Sequence, residues 1–203
     1  MINHKVFEKV IPLETRNMIL REIRLEDQDK VFELQSSEKV KRFLGYKKEN
    51  TLENAVKYID KLHHFYKKKW AMPWVATLKG SDELIGICTF NAVDVTNHRA
   101  EIDGVLFERY WRTGLAIEGF LALLKFGFET MNLHTISAKT MPENKSTISL
   151  LEKFGFEREG HIRDRVFING EYKDLYLYSI LEGNQTLDKL LEKHLTEYKE
   201  ISK

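Results

Sequence analysis

The feature that most constrains this chain is the run IEGFLALLKFGFETM at residues 117–131. At helical spacing Ile117, Leu121, Leu124, Phe128 and Met131 form one stripe, with Phe120 and Leu123 beside it. A helix that is apolar on most of its faces must be buried on most of them. The expectation is therefore a helix over 114–131 laid against a sheet in the interior of a mixed fold.

Elements with strand and helix patterns lie on both sides of it. TRNMILREI (15–23) reads as a strand, and LEDQDKVFELQSS (25–37) as a helix with acids in its first turn. Residues 51–70 form a second helix, on which Leu52, Val56, Ile59, Leu62 or His63, and Tyr66 recur at helical spacing. MPWVATLK and ELIGICTF make a hairpin around GSDE, with Gly86 read as a bulge. AEIDGVLF (100–107) and HTISAKTM (134–141) are strands on either side of the buried helix, and PENKSTISLLEKF (142–154) is a further helix. Asn169-Gly170 between apolar runs is a strong hairpin signal.

The resulting order is β-α-α-β-β-β-α-β-α-β-β, an α/β (α+β) chain with one central sheet. Residues 1–13 form a lead-in, 14–181 one domain and 182–203 an amphipathic C-terminal helix. That helix aligns Leu187, Leu190, Leu191, His194, Leu195 and Tyr198, a face for the domain or for a partner chain. A monomer and a homodimer both fit it.

Charge removes some functions. Lys+Arg 32 against Asp+Glu 31 leaves a net charge of +1, with no basic excess of the kind nucleic-acid binding uses. The run YKKKW (66–70) reads as a solvated helix end, where cations suit the helix dipole. A single cysteine, Cys88, in an apolar strand fits a reducing compartment and a packing role. The opening segment MINHKVFEKVIPLETRN lacks the apolar core of a signal peptide, and no window approaches 18 consecutive apolar residues. A cytoplasmic protein that makes no use of a membrane is expected. His63 and His64 are adjacent and diverge on a helix, and His98, His134 and His161 lack partners at ligand spacing, so no metal site is expected.

The buried helix begins unusually. RYWRTGLA (109–116) offers no acid until Glu118 and places a cation, Arg112, near the positive end of the dipole. A strand, a small-residue turn and the first turn of a buried helix together make an anion site, because the first amides have no helical partner. Gly114 and Ala116 allow close approach to the backbone. The same residues also suit a plain turn with a solvated Arg112. The dinucleotide fingerprint GxGxxG is absent, and Phe120-Leu121 stand where a P-loop requires Lys-Ser/Thr.

From this loop onward the chain resembles the GCN5-related N-acetyltransferases, and within them the RimJ/RimL type of ribosomal-protein N-acetyltransferase. The frame Trp111-Arg112-Thr113-Gly114-Leu115-Ala116 is similar to the family's Q/R-x-x-G-x-G/A loop, with Trp in first place and Arg112 where a small residue is usual. Asn144-x-x-Thr147 followed by LEKFGF resembles its N-x-x-S…L-x-x-x-G-F element. REGHIRDRVFINGEYKDLYLYSIL looks like its closing hairpin, and LETRNMILREIRLEDQDKVFEL like its opening; the likeness spans about residues 13–181.

The resemblance implies a mixed, mostly antiparallel sheet, acetyl-CoA as donor and a primary amine as acceptor. A protein N-terminal α-amine is the branch-level acceptor; a polyamine or aminoglycoside, or an acyl-CoA sensor without turnover, are the alternatives. The pyrophosphate would rest on the amides of Arg112, Thr113, Gly114, Leu115 and Ala116. The pantetheine would pair with strand 100–107 near Leu106 and Phe107. Acetyl transfer further needs a base, an oxyanion site and a proton for the departing thiolate. Glu101 and, after it, Asp103 are the candidate bases, two apart and on one face of an apolar strand. Thr147 is placed to hydrogen-bond the thiolate or the pantetheine, and is equally readable as an exposed first-turn residue. Asn144 is a helix cap that the resemblance also makes a cofactor ligand.

Overall fold

The computed structural model describes residues 2–44, 51–168 and 170–201. Its strands are β1 (Leu13–Glu14), β2 (Met18–Arg21), β3 (Met72–Leu78), β4 (Leu84–Asp94), β5 (Arg99–Leu106), β6 (Thr135–Thr140), β7 (Glu157–Ile168) and β8 (Glu171–Leu181). Its α-helices are α1 (Gln28–Ser36), α2 (Glu38–Leu44), α3 (Leu52–Lys67), α4 (Leu115–Lys125), α5 (Lys145–Lys153) and α6 (Gln185–Ile201). All eight strands form one sheet in the order β1-β2-β3-β4-β5-β6-β8-β7. Only β5 and β6 run parallel; their crossover is α4.

Each face of the sheet carries a core. On one lie Leu121, Leu123 and Leu124 of α4, Leu151 of α5 and Leu187 of α6, against Trp74, Phe90, Ile102 and Ile136. On the other, Val31 and Leu34 of α1 and Ala55, Ile59 and Leu62 of α3 cover Val75, Ile87 and Phe107. The run at 117–131 is buried as its pattern requires, with Leu124 and Met131 fully enclosed. Its last turn widens into a π-helical turn over Phe126–Thr130, where the Met131 amide donates to the Phe126 carbonyl at 2.9 Å.

Several sequence expectations are corrected. The strand expected over 15–23 is the pair β1 and β2, joined by the turn Thr15-Arg16-Asn17. Helix α2 has no counterpart in the pattern. On α3 Ile59 and Leu62 are buried as expected, but Ala55 takes the buried place expected of Val56, and Leu52 is exposed. The lead-in is part of the domain: Ile2, Val6, Phe7 and Val10 join the core, and the Asn3 amide donates to the Met131 carbonyl.

Gly86 is required by close approach. A Cβ there would lie 2.4 Å from the Val105 carbonyl oxygen on β5, while the register shift falls beside it, between Ala76 and Thr77 on β3. The β7–β8 hairpin closes after Ile168↔Glu171, with Gly170 at φ +85°. Its partner in the turn signal, Asn169, lies outside the described residues. Helix α6 packs on its own domain through Leu187, Leu190 and Leu191. The expected positions at His194, Leu195 and Tyr198 have side chains outside the described residues.

Candidate active site

The parallel pair is short. Arg99, Ala100 and Glu101 pair with Thr135, Ile136 and Ser137, and there the pairing ends although both strands continue. The result is a gap between β5 and β6 that opens toward their carboxyl ends. The helices that follow these two strands, α4 and α5, both begin at that end, so two helix N-termini lie at the mouth of the gap. Such a crevice at strand carboxyl ends is where open sheets accept ligands.

Backbone alternation assigns every second residue along one edge of β5 to the gap. The Phe107 amide donates to the Ile85 carbonyl on β4 at 2.9 Å. Odd-numbered residues of β5 therefore bond toward β4, while beyond the last pair with β6 Gly104 and Leu106 turn their polar groups into the gap. Phe107, expected beside Leu106 as a pairing site, is corrected by this geometry: its amide is used within the sheet, and its side chain is buried. The Leu106 carbonyl accepts from the Trp111 indole at 2.9 Å. Trp111 thus folds the loop back onto the strand end and leaves the Leu106 amide facing the gap.

The loop itself is shaped around its backbone. Arg112 has φ +61° and Gly114 φ +90°, both left-handed. Gly114 sits at the N-cap of α4 with open space in front of it. Arg112, lacking glycine's freedom, carries strain of about 1–3 kcal/mol, a cost that persists where surrounding structure over-determines it. The Thr113 hydroxyl donates to the Tyr110 carbonyl at 2.7 Å. The Glu118 amide closes the first helical bond, to the Gly114 carbonyl at 3.1 Å. The amides of Arg112, Thr113, Gly114, Ala116 and Ile117 meet no partner among the described residues, a concave donor set suited to an anion. Leu115 is different: its side chain is buried and its amide lies 3.5 Å from the Thr113 hydroxyl.

Glu118, the first acid in the helix, points away from this donor set. It is 6% exposed and accepts from the Asn17 amide at 2.6 Å, the Asn17 side chain at 2.8 Å and the Thr15 hydroxyl. It anchors the β1–β2 turn to the start of α4 and keeps its charge off the solvent side. Arg109 steadies the loop from outside. Its guanidinium stacks 4.4 Å from the Phe107 ring and pairs with Glu33 at 3.1 Å and Glu83 at 3.4 Å.

On the opposite face of β5, a cavity of about 240 Å³ lies between the sheet and α3. Asp103 lines it, with Asn91 and Thr89 of β4 and Tyr58, Lys61 and Phe65 of α3. Asp103 stands exposed at the mouth of this cavity. Desolvation by the protein around it, and then the neighbouring Glu101, raise its carboxyl to about 7, although the Asn91 amide donates a hydrogen bond to it. Glu101 shares this face, as its spacing required, but is ion-paired with Lys139 of β6. At the α5 end, Asn144 caps through Oδ1, which accepts from the Thr147 amide at 3.3 Å. That leaves the Asn144 Nδ2 and the half-buried Thr147 hydroxyl for other partners. Burial raises the Cys88 thiol far above its usual range, which keeps it protonated and inert.

Sequence reasoning missed Trp111 as a strap, Asn91 as the partner of Asp103, and Lys139. Tryptophan before the loop was the only visible signal; the other two are contacts across strands. Among the described residues no group of three or more His, Cys, Asp or Glu is placed to hold a metal ion, and no helix is long and apolar enough to cross a membrane.

A split parallel pair with the unpartnered amides of a helix start at its mouth is the arrangement of the acetyltransferase fold. The chain matches the family model for the acetyltransferase (GNAT) domain over residues 17–157. It is 32% identical over 173 residues to an uncharacterized N-acetyltransferase of Bacillus subtilis, YoaA, spanning 85% of this chain and 98% of that one. Over 105 residues it is 30% identical to the ribosomal protein uS5-alanine N-acetyltransferase of Escherichia coli, covering 51% of this chain and 54% of that protein. The solved structure of RimL, a ribosomal L7/L12 alpha-N-protein acetyltransferase in complex with coenzyme A, has the same fold: TM-score 0.77, 18% identity, 84% of this chain and 98% of that one. The chain belongs to the GCN5-related N-acetyltransferase family and is an N-acetyltransferase.

Proposed function

We propose that the protein moves the acetyl group of acetyl-CoA to the α-amine of a protein or peptide N-terminus, by direct attack in a ternary complex. The observation that carries this reading is the cavity under α3, with one carboxylate, Asp103, and one cation, Lys61, among its lining residues. A polyamine offers several ammonium groups and calls for several carboxylates; a peptide N-terminus offers one amine with a carbonyl beside it.

Proton affinity points the same way. An α-ammonium has a pKa of about 8, so its proton passes to a carboxyl near 7 at a cost of about one unit. An alkylammonium near 10.4 would cost about three units. Asp103 takes the proton, the amine nitrogen bonds to the acetyl carbon, and the carbon–sulfur bond breaks. Backbone amides of β5 facing the gap stabilise the oxyanion. As the intermediate collapses, the Thr147 hydroxyl gives its proton to the departing thiolate and regains one from the attacking nitrogen, so CoA leaves as the thiol and the amide is neutral. The amides of residues 112–114 and 116 hold the pyrophosphate, with Arg112 and the Asn144 Nδ2 as side-chain contacts. A cytoplasmic setting suits the single, protonated cysteine.

The test is a panel of acceptors incubated with acetyl-CoA, with released CoA read by a thiol reagent. Turnover with peptides bearing a free α-amine, and little with spermidine or aminoglycosides, is the expected result. Efficient turnover confined to spermidine would reassign the acceptor. Cofactor binding without CoA release from any acceptor would make the protein a sensor.

A further inference from the structure

Glu101 and Asp103 share one face of β5, and Lys139 lies on the neighbouring strand. Glu101 pairs with Ser137. Continued by two residues, that parallel register would set Lys139 beside Asp103. The strands part first, and the Lys139 ammonium reaches back to Glu101 instead. The two side chains are only 24% and 31% exposed, so the pair is partly shielded from solvent.

The other polar groups around Asp103 do not supply a counter-ion. From α3 come Tyr58 and Lys61, whose ammonium lies over the Phe65 ring at 5.2 Å. From β4 come Thr89 and Asn91, both neutral. Among the described residues Asp103 forms no ion pair.

We propose that Glu101 is a positioning residue, which captures the Lys139 ammonium where the strands part and so leaves the Asp103 carboxylate without a cation. The proposal rests on reading Asp103 as the base. Its physical content is competition for one mobile charge. The lysine stem is flexible, and the two carboxylates are neighbours on one face. A cation drawn onto a carboxyl lowers its pKa by roughly 1–3 units and makes it a poorer base.

The experiment is kcat/KM against pH, from about pH 5 to about pH 9, with a peptide acceptor. Glu101→Gln removes the competing carboxylate, so the acid limb moves down by about one unit or more. Lys139→Met leaves Glu101 unneutralised, and the limb moves up. The double variant returns it close to wild type, and Glu101→Asp, which keeps the carboxylate, stays with wild type. Should Glu101→Gln not fold, Lys139→Met and Glu101→Asp carry the test.

Two results would overturn the proposal, and they differ. An unmoved acid limb in Glu101→Gln and Lys139→Met, with Asp103→Asn inactive, removes the role of Glu101 and leaves the base in place. Activity retained by Asp103→Asn but lost by Glu101→Gln at every pH would make Glu101 the base, and the reading of Asp103 would fall as well.

Discussion

Asp103 and Glu101 look alike as residues: two carboxylates, one strand, one face. Their partners separate them, since Glu101 meets Lys139 while Asp103 meets the neutral Asn91 in a cavity. Asp103→Asn is expected to lower kcat by about 10²- to 10⁴-fold with acetyl-CoA affinity kept, as steady-state kinetics and calorimetry would show. Glu118 poses a different question at this scale. Its carboxylate serves the Thr15 and Asn17 donors, so Glu118→Ala removes three hydrogen bonds, one of them from the buried Thr15 hydroxyl, at a cost of about 1–3 kcal/mol, read by urea unfolding. The sequence showed Glu118 as the first acid of the helix. Its inward direction was invisible, because the turn it anchors lies a hundred residues away in the chain.

The start of α4 is the element on which the proposed cofactor binding turns. A first turn with no acid before Glu118, set after a glycine that permits close approach, was readable from RYWRTGLA; the left-handed conformation of Gly114 came from the structure. Gly114→Glu places bulk and negative charge in the open space before these amides and is strained at φ +90°. It should reduce acetyl-CoA affinity at least tenfold while the far-ultraviolet dichroism stays native; unchanged affinity would remove the phosphate role of the loop. A contrasting element is the β4–β5 ladder. Gly86→Ala pushes a methyl group into the Val105 carbonyl oxygen, which is backbone and cannot turn aside. A loss of about 1–3 kcal/mol in stability follows, of the size seen on overpacking. Helix α2, by contrast, has too short a pattern to be seen in the sequence.

For the whole molecule, the raised Asp103 carboxyl ties stability to pH. A carboxyl held above its ordinary value favours the folded state most at low pH, and that contribution is lost as pH rises through about 7. The melting temperature of wild type should therefore fall between pH 5 and pH 8 relative to that of Asp103→Asn, as parallel calorimetric scans would reveal. Identical pH dependence in the two proteins would show that the fold does not hold this carboxyl above its ordinary value. The sequence by itself determined the order of the main elements, the buried α4 and the acid-free, small-residue turn before it, because periodicity and backbone freedom are local properties. The tertiary structure alone decided where β5 and β6 part, that α6 folds onto its own domain, and which carboxylate meets a cation. Those outcomes depend on groups brought together across strands and helices, and no local pattern encodes a distance between them.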